Sequence, residues 1–369
     1  MKITSVELYG YELTYALDHE YVMSKGRAAS KQQSSLVRVR TDEGIEGWGE
    51  SATAGGNYLP TFTGSTRAAI IELASHLVGK DPTNISEIQN TMNSALLGHA
   101  NAKSAIDIAC WDIFGKSVNR PIAQLLGGVL QESFPLYYAI PLKTPSEMAE
   151  FARMGISHGI KRFQLKVGGN PYEDAERVRQ VIENTPDGTL VIADANGGWN
   201  LQAALIACEK MSGLDVYIEQ PCRDIADCAT VKRNTVMPLI LDELINTPAD
   251  MYKAKYEAGA GSVNLKLGRL GGITPLVRMR NLAQDLDMTF CLEDMWGGDV
   301  ISAAIAHVSA SADPLTFLHS AFYNDWTKEH VAGHEPRSIN GVGSIPTGPG
   351  LGITINMDAI GKPLAVIND

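Results

Sequence analysis

Three acidic side chains stand where three successive apolar stretches of the sequence end. Asp194, Glu219 and Asp242 each follow three or four mostly aliphatic residues. Short apolar runs of this kind are typical of strands that are buried on both faces of a parallel sheet. The gaps between the runs leave room for a crossover helix and two loops. Because parallel strands end at the same face of their sheet, this pattern brings the three carboxylates together.

The three carboxylates indicate a metal site. Converging negative charges repel one another unless a cation lies between them. Oxygen ligands without histidine or cysteine suit Mg2+, which takes a few carboxylates and leaves its other positions to water or substrate. We therefore expect Asp194, Glu219 and Asp242 to bind Mg2+. The alternative is a structural role, in which lysine side chains pair with the three acids.

Two lysines occupy strand ends on opposite sides of the same predicted sheet. Lys166 and Lys266 end the second and the sixth of eight predicted strands, so in a closed ring they face each other. A substrate carboxylate at the metal would have its α-carbon between the two amines. This arrangement suits removal of an α-proton, with one lysine as base and the other exchanging a proton on the opposite face. A lysine base needs a lowered pKa, and we expect burial beside Mg2+ to lower it.

A repeating pattern of strands and helices must position these groups. From residue 129 onward, short apolar runs alternate with helical stretches, and eight strands at this spacing most simply close as a parallel β/α barrel. The predicted strands are 136–140, 162–167, 189–194, 216–219, 239–242, 262–267, 288–293 and 315–319. A purely structural repeat would show the same alternation. Ionisable residues at six successive strand ends, the last being the pair Glu293-Asp294, argue against that interpretation because buried unpaired charges are costly.

The chain ahead of the barrel has a different pattern. Its first fifty residues alternate polar and apolar residues over three strands with a hairpin turn, and three amphipathic helices follow. We expect residues 1–128 to form an α+β capping domain, residues 129–335 the barrel, and residues 336–369 a tail that packs back on the capping domain. Two polar, glycine-containing segments, 18–31 and 54–58, are predicted to be loops that set substrate specificity, the first of them mobile.

Composition argues against several other classes of protein. The chain has 369 residues and a net charge of −11 with scattered lysines and arginines, so we expect no nucleic-acid partner and no anionic membrane partner. It contains no apolar stretch of about 18 residues, and its N-terminus lacks the apolar core of a signal peptide. Five cysteines without CxxC spacing indicate reduced thiols in a cytoplasmic protein. The glycine-rich tail lacks the motifs of a phosphate loop.

Five motifs stand at the predicted strand ends. They are QLKVGG from Gln164, DAN from Asp194, IEQPC from Ile218, LDE from Leu241 and NLKLGRLGG from Asn264. Together these motifs resemble those of one enzyme family, the muconate-lactonizing and mandelate-racemase branch of the enolase superfamily. The resemblance covers essentially the whole chain and implies a capping domain with a (β/α)7β modified TIM barrel. It assigns to the three carboxylates and the two lysines the roles inferred above, and it adds Asn196 and Glu243 close to the metal. It also implies a homo-oligomer.

Three departures from sibling families narrow the chemistry. Many relatives carry Lys-x-Lys on strand two, where this chain has Gln164 and Lys166, so the tuning of Lys166 must come from elsewhere. Acid-sugar dehydratases and mandelate racemases have a histidine at the end of strand seven, where this chain has Glu293-Asp294. Dipeptide epimerases have Asp-x-Asp at the end of strand eight, where this chain has His319. The remaining pattern is most similar to the group that acts on proline derivatives.

That group includes cis-3-hydroxyproline dehydratases and hydroxyproline-betaine 2-epimerases, so the resemblance implies a small proline-type amino acid or betaine as substrate. In a pocket for such a cation, we expect Asp294 to pair with the ammonium and Tyr58, Trp296 and Phe322 to line the wall.

Two outcomes of α-proton removal are open. A β-hydroxyl that leaves with a proton gives an enamine and then a cyclic imine, whereas return of a proton to the α-carbon gives the epimer. We favour dehydration of cis-3-hydroxy-L-proline to pyrroline-2-carboxylate over 2-epimerisation of proline betaine or 4-hydroxyproline betaine. A barrel that binds a metal or small molecule without turnover is a third hypothesis, and the pair of opposed lysines argues against it.

Overall fold

An antiparallel sheet of four strands forms one layer of the capping domain in the computed structural model, which describes residues 1–17, 20–24 and 28–368. Between its first two strands in sequence, β2 (Tyr21–Val22) and β3 (Ala28–Ala29) pair as a short hairpin. The last strand of the chain returns to pair with the first. The sheet consists of β1 (Ile3–Thr14), β4 (Lys31–Thr41), β5 (Glu46–Ala52) and β16 (Ala365–Asn368), in the order β16-β1-β4-β5.

Helices cover the inner face of this sheet. The central helix lies close because β5 carries glycines at the contact. A Cβ atom on Gly49 would lie 1.7 Å from the carbonyl oxygen of Ala105, and one on Gly47 would lie 2.1 Å from that of Ala109. A side chain at either glycine would therefore push the helix away from the sheet. The helices are α1 (Thr63–Ser75), α2 (Ile85–Ala95), the central α3 (Ala100–Ser117) and the short α4 (Ile122–Leu125).

Eight parallel strands form the second sheet, and each pairs with its neighbours in sequence order. A bridge between Leu136 and Ser320 joins the first strand to the last, so the sheet closes into a barrel. Beside it, β6 (Phe134–Pro135) pairs with β15 (Val342–Gly343). The prediction of an α/β barrel with an N-terminal α+β domain is confirmed. The barrel strands are β7 (Tyr138–Ile140), β8 (Arg162–Lys166), β9 (Leu190–Asp194), β10 (Tyr217–Glu219), β11 (Leu239–Leu241), β12 (Ser262–Lys266), β13 (Thr289–Glu293) and β14 (Phe317–Ser320).

Helices connect the successive barrel strands. After β14 a 3₁₀ helix spans Tyr323–Trp326, and the tail contains α13 (Met357–Ile360). The connecting helices are α5 (Pro145–Ser157), α6 (Pro171–Glu183), α7 (Leu201–Lys210), α8 (Ile225–Arg233), α9 (Pro248–Tyr256), the short α10 (Leu267–Leu270) with α11 (Ile273–Asp285), and α12 (Asp299–Ala310). Among the described residues, no helix is both long enough and apolar enough to span a membrane. All five cysteines are buried free thiols.

The eight predicted barrel strands begin and end within two residues of the observed ones. The predicted loop at 18–31 differs more. Residues 18, 19 and 25–27 lie outside the described residues, but β2 and β3 form a hairpin in the remainder and Lys31 already belongs to β4. Strands of two residues show no alternation that a sequence pattern can reveal, which explains the difference.

Candidate active site

Six ionisable side chains gather where the barrel strands end. Neighbouring strands pair so that Lys166 lies beside Asp194 and Lys266 lies beside Glu293. None of the six residues is more than 6% exposed. Their environment is therefore set by one another and by the residues packed around them. The six are Lys166 at the end of β8, Asp194 at the end of β9, Glu219 at the end of β10, Asp242 directly after β11, Lys266 at the end of β12 and Glu293 at the end of β13.

Gln164 connects the first lysine to the carboxylates. Lys166 Nζ lies 2.5 Å from Asp194 Oδ2 and donates to Gln164 Oε1 at 2.8 Å. The amide of the same glutamine donates to Glu219 Oε2 at 2.9 Å. At the position where sibling families carry a second lysine, this chain therefore has a neutral side chain that fixes the orientation of both Lys166 and Glu219.

The second lysine has a different set of partners. Lys266 Nζ lies 3.0 Å from Asp242 Oδ2 and 3.2 Å from Glu293 Oε1. It also donates to the hydroxyl oxygen of Tyr58 at 2.8 Å, and that hydroxyl donates to Asp242 Oδ2 at 3.2 Å. The segment 54–58 of the capping domain thus contributes a side chain directly to the strand-end cluster.

The carboxylates fit a divalent cation with oxygen ligands. Oxygen atoms of Glu219, Asp242 and Glu293 lie within 4.8 Å of one another. Burial raises the pKa of Glu219 well above its ordinary value, and the carboxylates of Asp194 and Asp242 raise it further. Buried, crowded carboxylates are what Mg2+ binds in proteins. This group contains Glu293 and not Asp194, and the Asp194 carboxylate lies against Lys166. The assignment of Asp194, Glu219 and Asp242 as metal ligands therefore stays a prediction.

The protein's own groups raise the pKa of both lysines, and the lowering expected beside Mg2+ stays a prediction. Burial lowers the pKa of Lys166, but Asp194, Tyr21 and Glu219 together outweigh burial and raise that pKa above its ordinary value. For Lys266, Asp242 and Tyr58 oppose burial in the same way, and the pKa is raised well above its ordinary value. The protein's own carboxylates therefore hold both lysines as ammonium ions. A lowered pKa requires further positive charge in the site.

Two predicted neighbours of the metal lie next to Asp194. The amide nitrogen of Asn196 donates to Asp194 Oδ2 at 2.9 Å and to Glu243 Oε1 at 3.1 Å. Burial raises the pKa of Glu243 to about 7, and the charges of Asp242 and Asp194 contribute to the rise. The structure therefore brings both residues to the edge of the carboxylate cluster.

Two residues that were not predicted from the sequence, Asn264 and Arg269, hold the cluster together. Asn264 Nδ2 donates to Glu219 Oε1 at 3.0 Å and also to Glu293. Arg269 donates to Asp242 Oδ1 at 2.7 Å. Burial raises the pKa of Asp242, but Lys266 and Arg269 outweigh burial and lower that pKa to about 2. The period of two along β12 places Asn264 on the same side as Lys266, and that signal was available in the sequence.

A pocket lies between the two lysines, both of which line it together with Gln164 and Glu293. Two methionines, Met23 and Met295, form part of its wall. Trp296 contacts the ring of Tyr21 at 5.7 Å between ring centroids. The capping domain, the barrel and the segment after β14 all contribute aromatic rings to this wall. The aromatic lining residues are Tyr21, Tyr58, Tyr137, Trp296, Tyr323 and Trp326.

Of the four predicted substrate contacts, Tyr58 and Trp296 line the pocket, and the structure does not bring the other two there. Asp294 Oδ1 accepts hydrogen bonds from the backbone nitrogens of Gly268 and Met295, at 3.0 and 2.8 Å. The Phe322 ring packs edge-on against Phe134 with 5.9 Å between centroids. Asp294 therefore fixes the loop after β13, and Phe322 belongs to the hydrophobic core.

The fold and the strand-end chemistry together define an enolase-type barrel enzyme. Residues 147–359 match the family model for enolase C-terminal domain-like proteins. Residues 16–127 match the N-terminal domain of mandelate racemase and muconate lactonizing enzyme. The chain therefore belongs to the mandelate racemase/muconate lactonizing enzyme branch of the enolase superfamily, and the predicted resemblance is confirmed.

The relatives that are named for an activity cover more than one reaction. The chain is 38% identical to a cis-3-hydroxy-L-proline dehydratase of Roseibium aggregatum over 99% of each chain. It is 33% identical to an N-succinyl-L-Arg/Lys racemase of Bacillus cereus over 100% of this chain and 99% of the racemase. A mandelate racemase/muconate lactonizing enzyme of Roseovarius nubinhibens, crystallised with magnesium, has a TM-score of 0.95 and 32% identity, with 100% of each chain covered.

Proposed function

We propose that this protein removes the α-proton of a proline-type amino acid with the help of Mg2+ and dehydrates cis-3-hydroxy-L-proline to pyrroline-2-carboxylate. One observation carries the proposal: two buried lysines, four strands apart, line one pocket beside a cluster of carboxylates. A protein that only binds its ligand has no need of an amine on each side of the pocket.

Each step of the proposed reaction has a candidate residue. Asp194, Glu219 and Asp242 are the proposed ligands of Mg2+, which would supply positive charge against the negative charge that develops on the substrate carboxylate. One lysine takes the α-proton, and the electron pair of the C–H bond forms a double bond between the α-carbon and C3. The other lysine gives a proton to the C3 hydroxyl, which leaves as water. The resulting enamine tautomerises to the cyclic imine.

Two features support the dehydratase assignment. The first is the identity of 38% to a cis-3-hydroxy-L-proline dehydratase over nearly the whole chain. The second is the indole nitrogen of Trp296, which is buried at the pocket and has no hydrogen-bond partner among the described residues. A buried donor without a partner costs about 1–3 kcal/mol. A ring hydroxyl of the substrate would accept this hydrogen bond. Proline betaine has no such group, whereas 4-hydroxyproline betaine has one, so this feature argues against proline betaine alone.

The aromatic lining favours a second candidate function, 2-epimerisation of proline betaine or 4-hydroxyproline betaine. Six aromatic side chains surround a pocket to which Asp294 does not contribute a carboxylate. Aromatic faces attract a methylated ammonium, which needs no anionic partner. A second lysine on the opposite face is also what a proton return with inversion requires.

The deciding experiment is proton NMR of the purified enzyme with Mg2+ in D2O. The substrates offered in separate samples are cis-3-hydroxy-L-proline, proline betaine and 4-hydroxyproline betaine. The dehydratase proposal expects loss of the hydroxyproline signals and growth of a pyrroline-type product. A matched sample treated with a chelator should show no reaction until Mg2+ is added back.

The other outcomes separate the alternatives. Exchange of the α-proton with inversion in a betaine would assign the epimerase and overturn the dehydratase. Absence of exchange in all three compounds would overturn the proline-derivative assignment. A reaction that is unchanged in the chelated sample would contradict the role given to Mg2+.

A further inference from the structure

Two of the long barrel helices begin without a cap of their own. Helices α11 and α12 follow Gly272 and Gly298, which have no side chain to accept from the first backbone N–H groups. The helices earlier in the barrel supply this acceptor themselves, and an N-cap of this kind stabilises a helix by about 1 kcal/mol. The side chains that cap α5 to α9 are Thr144, Asn170, Asn200, Asp224 and Thr247.

The capping domain supplies both missing acceptors. Glu50, near the end of β5, accepts from the backbone N–H of Gly298 through Oε1 and from that of Ile301 through Oε2, both at 3.0 Å. Asp107 of α3 accepts from the backbone N–H of Thr274 at 3.0 Å and from its hydroxyl at 2.7 Å. Both carboxylates are fully buried. The N-termini of α11 and α12 are therefore docked on the other domain.

Glu50 is held closely both by the capping domain and by the start of α12. Within the capping domain, Oε1 also accepts from the hydroxyls of Tyr11 at 2.5 Å and Ser34 at 2.7 Å. A Cβ atom on Gly298 would lie 2.1 Å from the Tyr11 hydroxyl oxygen and 3.0 Å from Glu50 Oε1. Glycine is thus required at 298 for this close approach, and a shift of Glu50 would be transmitted directly to the start of α12.

The segment that Glu50 holds forms one wall of the pocket. Only four residues separate Glu293, at the end of β13, from Gly298, and two of them, Met295 and Trp296, line the pocket. Asp294 fixes the beginning of this segment through Gly268 and Met295. Glu50 fixes its other end from the capping domain. The wall is therefore held at both ends by buried carboxylates.

We propose that Glu50 is a positioning residue that sets substrate affinity by holding the Met295–Trp296 wall, although Glu50 does not line the pocket itself. The proposal rests on the proposed function in so far as the wall contacts the substrate. Because the wall contacts the substrate before and during the reaction alike, its displacement raises KM more than it lowers kcat.

The test compares Glu50→Gln with Asp107→Asn. Each substitution keeps the side chain's size and places an amide N–H2 among donors, which weakens one helix cap. Asp107 serves as the matched control because it caps α11, whose start does not line the pocket. We expect KM to rise about tenfold in Glu50→Gln with kcat within about threefold, and KM to change less than twofold in Asp107→Asn. The midpoint temperature of thermal unfolding should fall to a similar extent in both variants.

A second readout does not depend on catalysis. The indole N–H signals of the 15N-labelled protein can be assigned for Trp296 by comparison with Trp296→Phe. The signal of Trp296 should move in Glu50→Gln and keep its position in Asp107→Asn. If the wild type turned over none of the three substrates, the proposed function would fail while this shift would still test Glu50.

Two results would overturn the proposal. One is an unchanged Trp296 signal and an unchanged KM in Glu50→Gln. The other is an equal rise of KM in both variants, which would indicate a general loss of domain docking. Should Glu50→Gln not fold, Tyr11→Phe removes one of the four donors to Glu50 and is expected to raise KM about twofold to threefold by the same route. If neither KM nor the Trp296 signal changed in Tyr11→Phe, that result would contradict the proposal.

Discussion

Buried carboxylates occur in two regions of this molecule, and their surroundings differ. In the cluster beside the pocket, burial raises the pKa of Glu219, and the neighbouring carboxylates of Asp194 and Asp242 raise it further. At the interface between the domains, burial also raises the pKa of Glu50, but hydrogen bonds from Tyr11 and Ser34 oppose the rise. The pocket concentrates negative charge, whereas the interface gives each carboxylate its own donors.

This difference distinguishes carboxylates that take part in the reaction from carboxylates that hold the fold together. A carboxylate that has its own donors stabilises the position of a helix and needs no further partner. Carboxylates that crowd one another require cations, which here are Lys166, Lys266 and Arg269 together with the proposed Mg2+. Substitutions in the pocket should therefore lower kcat more than stability, and substitutions at the interface should lower stability more than kcat.

The largest effect is expected for Lys166→Ala. Removal of a group that moves a proton in the transition state should lower the rate of α-proton exchange by about 10³-fold to 10⁴-fold, which corresponds to roughly 4–5 kcal/mol. The rate is measured by proton NMR in D2O with Mg2+. Binding of Mg2+, followed by calorimetry, should persist. A rate within tenfold of the wild type would remove Lys166 from the mechanism and weaken the contrast between the two regions.

The next effect concerns Asp112, a buried carboxylate of α3 at the contact between the capping domain and the C-terminal tail. Asp112 accepts from the backbone nitrogens of Trp48 at 3.0 Å and Leu351 at 2.9 Å, and from Lys116 at 2.7 Å. Asp112→Ala leaves buried N–H groups unpaired and should lower the free energy of unfolding by about 3–4 kcal/mol. Urea unfolding measures this loss, while kcat and KM should stay unchanged.

The matched control for Asp112→Ala is Glu87→Gln. Glu87 is exposed and pairs with Lys80 at 3.0 Å, so its removal should change stability by less than about 1 kcal/mol. Equal losses of stability in the two variants would show that burial and backbone donors do not distinguish the interface from the surface.

Stability should also depend on pH through His307. This residue belongs to α12 and contacts α4 and the tail. The backbone nitrogen of Ala123 donates to Nδ1 at 3.4 Å, and Nε2 lies 3.1 Å from the carbonyl oxygen of Leu351, which suits the neutral ring with its proton on Nε2. Burial lowers the pKa of His307 to about 4. Between about pH 6.5 and pH 4 the unfolded chain therefore binds the additional proton, and stability falls by up to about 3 kcal/mol as pH falls.

This dependence on pH is checked by urea unfolding at several pH values. The variant His307→Gln can make both hydrogen bonds without titrating, so its stability should fall less over the same range. Parallel curves for wild type and variant would assign the acid sensitivity to other groups.

The smallest effect is expected for Trp296→Phe. The change keeps an aromatic ring in the wall and removes the unpaired indole N–H, so kcat/KM for cis-3-hydroxy-L-proline should fall about tenfold, or 1.4 kcal/mol. The control is exchange of the α-proton of L-proline, which lacks the hydroxyl and should be affected less. Equal losses for the two compounds would mean that the ring, and not its N–H, contributes to binding.

The sequence predicted those parts of the site that lie on regular strands. Glu219 is followed at once by Gln220-Pro221, and a proline there ends a strand, so the end of β10 could be inferred. The direction of side chains in irregular segments could not be inferred from the sequence. Asp294 and Trp296 lie two residues apart in one loop, yet only the second lines the pocket, because loop backbone has no period that assigns residues to a face.

Contacts between segments that are distant in the sequence could not be predicted either. Tyr21 and Trp326 line the pocket from a hairpin of the capping domain and from the 3₁₀ helix after β14. The contact of Glu50 with Gly298 joins a strand of one domain to a helix of the other. No local pattern indicates such pairs, because tertiary packing alone determines them.

The return of β16 to β1 has a consequence for synthesis on the ribosome. Strand β1 ends at Thr14, whereas its partner β16 begins at Ala365. At translation rates of roughly 5–20 residues per second, the interval between their emergence is on the order of half a minute. During that time one edge of β1 has no native neighbour, and open strand edges are templates for aggregation. The nascent chain therefore carries an open strand edge at residues 5–8 until residues 365–368 have been made.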